Sequence, residues 1–166
     1  MIKPGFERFA AYNMWANRLI LDAASALSPQ DFVADGGAFF GSVCGTLNHL
    51  IVADRVWLRR LTGQGPEERQ LNRIITEDIA ELRVLRTVED QRLADFVAGC
   101  TEADLGGDFS YRTIAGVEQR QPLEEALTHI FNHQTHHRGQ AHALITRFGG
   151  QGPEMDLLYY VRSLSA

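Results

Sequence analysis

Cysteine is scarce in the 166 residues: only Cys44 and Cys100 occur, far apart in the chain. That excludes a disulfide framework and any CxxC metal or redox motif, and leaves two small apolar side chains suited to a core. No uninterrupted apolar run approaches the roughly 20 residues that cross a bilayer, so no membrane partner is expected. The first residues, Met1-Ile2-Lys3-Pro4-Gly5-Phe6-Glu7, lack an apolar signal core, which predicts a cytoplasmic protein. Positive charge is also short, with 16 Lys+Arg against 21 Asp+Glu and a net charge of -5. No basic cluster could follow a phosphate backbone, so nucleic acid is not an expected partner.

What remains is ordinary globular composition, 45% hydrophobic and 22% charged, at a length that fits one domain over residues 1–166. Helical spacing of apolar residues predicts a first helix from Gly5 to about Leu27, ended by Ser28-Pro29. Its stripe is interrupted by Asn13 and Asn17. These either cap a pocket or satisfy each other and the backbone. Ser42 can cap a second helix, Val43 to Thr62, with Gly63 as its stop. The stretch from Leu71 to Val97 has neither Gly nor Pro and reads as one long third helix. Phe109 to Gln121 predicts a short β-hairpin turning at Ala115-Gly116. A fourth long helix starts at Gln121-Pro122 and runs to Phe148, and a last short one covers Met155 to Ser163. The expected architecture is an all-α four-helix bundle, in which ligand sites are commonly built from core-facing side chains.

Histidine is the surplus. Six occur, at 49, 129, 133, 136, 137 and 142, five of them on the fourth helix. At about 100° per residue, His129, His133 and His137 share one helix face. An i,i+4 pair can chelate one ion, either 129/133 or 133/137, whereas 129 and 137 lie about 12 Å apart along the axis. His49, among the apolar residues of the second helix, can supply a third nitrogen if helices 2 and 4 pack antiparallel. Three neutral imidazoles suit zinc, nickel or a similar divalent ion and leave a position for water or substrate. The peptidase word H-E-x-x-H is not met, because the matching residue is Gln134, which cannot take a proton at neutral pH. Asp54 and Arg138 are placed to pair between helices, Trp15 and Trp57 read as core, and Gly139 suggests a close helix contact.

Four words resemble the DinB/YfiT-like metalloenzyme family. They are Tyr12 to Asn17, Leu47 to Trp57, His129 to Gln140 with its HxxHHRGQ core, and Asp156 to Tyr160. The resemblance implies an up-down-down-up bundle, usually a homodimer, with one divalent metal held by His49, His133 and His137. It leaves His129 as a hydrogen-bonded core, ligand-orienting or substrate-contacting residue, and His136 facing solvent or a subunit contact. It further implies a metal-dependent activity on a small molecule, with a low-molecular-weight thiol as cosubstrate of a transferase-type reaction. The alternatives are a metal-dependent hydrolase, with Glu125 or His129 as proton acceptor, and a non-enzymatic stress protein that binds metal or a small ligand.

Overall fold

Ser42 and Gly63 bracket the second long helix as their chemistry requires. The Ser42 hydroxyl accepts from the Gly45 N–H, and Gly63 closes the far end in the left-handed region at φ 71°. A computed structural model describes residues 2–165. Its helices are α1 (Lys3–Ser25), α2 (Pro29–Val33), α3 (Val43–Thr62), α4 (Ile79–Gly99), α5 (Glu102–Gly106), α6 (Leu123–Arg147) and α7 (Leu157–Ser163). Strands β1 (Asp108–Arg112) and β2 (Glu118–Pro122) pair antiparallel and turn through Gly116, as the spacing predicts. No helix of the described residues is long and apolar enough to cross a membrane.

The third long helix is shorter than its pattern suggests. Residues 71–78 are not helical, and α4 starts only after Asp78, whose carboxylate accepts from the Ala80 and Glu81 N–H groups. The competing interaction is tertiary. The buried Asn48 side chain accepts from the backbone N–H of Ile75 and Thr76 and donates to the Thr76 carbonyl, holding that segment extended against α3. The short α5 was not anticipated, although Thr101 and Asp104 form a reciprocal capping box around its first turn.

Contacts fix the directions of the four long helices. Asn17 meets Asp90 and Asp22 meets Arg83, so α1 and α4 run antiparallel. Asp54 meets Arg86 and Arg55 meets Glu89, so α3 and α4 are parallel. Phe6 stacks near Phe131 and Asn13 reaches Arg138, making α6 parallel to α1 and antiparallel to α3. The result is the expected up-down-down-up bundle.

The core divides into two apolar halves. One gathers Ile20, Leu47, Ile51, Leu82 and Ile145, the other Phe6, Leu58, Leu93, Leu127 and Ile130. Between them, at mid-height on each of the four long helices, lies a belt of buried polar residues. Arg86 pairs with Asp54 and lies 3.2 Å from Asp90, while Asp90 accepts from both Asn13 and Asn17. The asparagine oxygens in turn accept from Arg138. The Asp54–Arg138 pair expected from the sequence is therefore not made. Arg86 takes Asp54 because α4 lies beside α3 on the core side, and Arg138 turns toward α1. Asn13 and Asn17 satisfy a charge bridge and border no pocket at the histidines. Gly139 has open space around it, so no helix contact explains it.

Candidate metal centre

Antiparallel packing of α3 against α6 brings His49 opposite His133 and His137. One ring nitrogen from each lies within 4.8 Å of the other two, the one such histidine, cysteine and carboxylate cluster among the described residues. The Nε2 atoms of His49 and His133 are 3.1 Å apart. Two nitrogens bound at 2.0–2.1 Å to a tetrahedral ion stand about 3.3 Å apart, so the spacing is close to that of a shared cation. A soft-to-borderline, three-nitrogen donor set of this kind could hold a divalent transition metal.

Two of the three rings have their outer nitrogen fixed. The Leu71 carbonyl accepts from His49 Nδ1 at 2.8 Å, which puts the hydrogen on that atom and leaves the Nε2 lone pair directed at His133. His137 Nδ1 lies 2.8 Å from Gln140 Oε1, and the same amide's nitrogen lies 3.1 Å from His136 Nε2. Such partners set the tautomer and orientation of a ligating imidazole. His136 itself is exposed. Its contribution is to anchor Gln140.

Phe40 covers one side of the cluster, stacked on His49 with ring centroids 3.7 Å apart and planes 17° from parallel. Its loop turns at Gly41 (φ 74°), and the close passage of the Phe40 carbonyl leaves no room for a Cβ at Gly45. Burial favours the neutral imidazoles. It pushes His49 down to about 4, with the Leu71 carbonyl opposing, and His133 down to about 3, assisted by the neighbouring histidines. His137 is lowered as well, again by burial first, against the Gln140 hydrogen bond.

The remaining histidine of this face is placed differently from a core residue. His129 is exposed, its ring set between Trp57 (centroids 5.2 Å) and His133 (5.8 Å). Trp57 is only partly buried and stacks edge-on to Tyr111, while Trp15 packs with Tyr12 and Tyr160. Gln134, at the position of the peptidase glutamate, has no exposed surface, and its amide nitrogen is 3.5 Å from the Leu50 carbonyl. Sequence reasoning did not find Leu71, Phe40 or Gln140 as supports. Gln140 had a signal, being three residues beyond His137 on the same helix. Leu71 had none, since it acts through its backbone.

Fold and site define a class: an up-down-down-up helical bundle whose three-histidine cluster between its second and fourth long helices could hold a metal ion. The chain belongs to the DinB family, whose model matches residues 1–164. It is 21% identical over 154 residues to Protein DinB of Bacillus subtilis, covering 90% of each chain. Among solved structures, a DinB-like protein from Bacillus cereus superposes with a TM-score of 0.68 at 16% identity, over 88% of this chain and 94% of that one. A DinB-like protein from Bacillus subtilis gives 0.62 at 13% identity, over 89% and 97%.

Proposed function

We propose that this protein is a metal-dependent enzyme whose His49, His133 and His137 hold a divalent ion, zinc or nickel, and that it transfers a small thiol to an electrophilic substrate. The observation that carries the reading is the convergence of three imidazoles with, among the described residues, no carboxylate in their cluster. Position 134 faces the core, so even a glutamate there would point away from the open side of the cluster. Glu125 is exposed and two turns from His133 on α6. A bound divalent ion supplies Lewis acidity that lowers the pKa of a coordinating thiol, chemistry that needs no protein base.

The chain's own residues would hold the ion, keep water from the Phe40 side and fix the ring orientations through Leu71 and Gln140. Neither cysteine is placed to serve as the thiol. Both are buried, and burial pushes Cys44 up to about 11 and Cys100 upward too. The thiol therefore comes from a cosubstrate. Hydrolysis is the lesser reading, with His129, beside His133, as the proton acceptor. A small-molecule substrate, homodimeric assembly and a cytoplasmic location stand with this proposal.

The test is turnover of monochlorobimane with glutathione, bacillithiol or mycothiol by protein reconstituted with zinc or nickel. Conjugate formation that needs the metal and disappears in His49→Ala is the expected result. Absence of metal-dependent product with all three thiols would sink the transferase reading.

A further inference from the structure

Two helical turns along α3 from His49, a cleft of about 570 Å³ opens between α3, the loop after it and the β-hairpin. Arginine dominates its walls, with Arg59, Arg60, Arg69 and Arg112 all contributing. Three of these are committed. Arg59 donates to the Gly65 carbonyl, Arg69 pairs with Glu67, and Arg112 pairs with Glu118. The other cleft carboxylate, Glu68, is buried and held by Arg55 and Arg73.

Arg60 differs. Among the described residues its guanidinium has no carboxylate or carbonyl partner. It lies against two aromatic faces instead, 4.7 Å from the Trp57 ring centroid and 4.9 Å from that of Tyr111. A guanidinium set against two aromatic rings is partly stripped of water, and its N–H groups remain available for a planar oxyanion. Arg–carboxylate pairing is frequently bidentate. The shelf also adjoins the histidines, since Trp57 touches His129 and His129 touches His133.

We infer that this cleft binds a carboxylate-bearing small molecule, with Arg60 on its Trp57–Tyr111 shelf as the anchor. That the bound molecule is the one presented to the histidine cluster rests on the function proposed above; binding of the carboxylate does not.

The experiment uses the full chain with Trp15→Phe, which leaves Trp57 as the sole tryptophan reporter. S-methylglutathione, whose sulfur is blocked, is titrated against chelator-treated and metal-loaded protein alike. Saturable quenching in both forms is expected. Binding weakens by about tenfold or more for the diethyl ester of the same probe and for Arg60→Gln, while Arg112→Gln stays within about twofold. No saturable response, equal binding of the ester, or an unchanged Arg60→Gln would each overturn the inference. The ester arm uses the same protein as the acid arm, so misfolding of a variant cannot mimic its result. Loss of metal-dependent turnover with probe binding intact would overturn the proposed function and leave this site standing.

Discussion

The mid-height belt and the histidine cluster are both polar gatherings in an otherwise apolar bundle, yet they are completed in opposite ways. In the belt, cation meets anion: Arg86 lies between Asp54 and Asp90, and the two asparagines pass the Asp90 charge on to Arg138. Arg86 faces opposite charge directly and Arg138 faces it through the asparagine amides, the condition under which such buried groups are tolerated. The cluster instead brings together three groups of one kind, and burial drives all of them toward the neutral, lone-pair-bearing form. A belt of matched partners specifies how four helices align. A cluster of like acceptors could be completed by a cation. Adjacent residues show the division, for His137 faces the cluster while Arg138 turns into the belt.

Crossed substitutions break the comparison most sharply. His133→Ala should remove stoichiometric metal, measured by elemental analysis, and leave the urea midpoint of the chelated protein nearly unchanged. Arg86→Ala should do the reverse, costing about 3–5 kcal/mol in urea unfolding because Asp54 and Asp90 lose their cation, while the folded fraction still binds metal. If either variant moves both readouts equally, the two regions are not separable. Gln140→Ala tests the support of one ligand and should weaken metal affinity by about 10–100-fold in a competition titration, with the fold intact.

The smallest effect is in pH. His49 and His133 have folded-state values near 4 and 3, below the unfolded value of about 6.5. Between those values the unfolded chain takes up protons that the folded chain refuses. The stability they contribute is therefore full above about pH 6.5 and declines as pH falls toward 4. Chelated protein should melt a few degrees lower at about pH 6 than at about pH 7.5. A higher melting temperature at the lower pH would contradict the burial of these rings.

Much of the bundle was legible because its signals are local. Ser42, Gly63, Pro122 and the 3.6-residue spacing set α3 and α6 to within a residue or two. The family resemblance, more than spacing, separated 133/137 from 129/133, and the two pairs do differ in space: His129 leans on Trp57 while His137 meets His49. What was not legible depends on tertiary contact. Asn48 overrides the helical pattern of 71–78, and the partner of Asp54 depends on which helix lies beside α3. Spacing within one helix carries neither fact.

The Leu71 carbonyl that orients His49 belongs to the main chain, so the identity of the side chain at 71 is of little consequence to it. An insertion or deletion between Gly63 and Asp78 is another matter, since shifting the segment by one residue withdraws the acceptor and frees the ring to rotate. In this stretch length is constrained as tightly as the buried Glu68 and the capping Asp78.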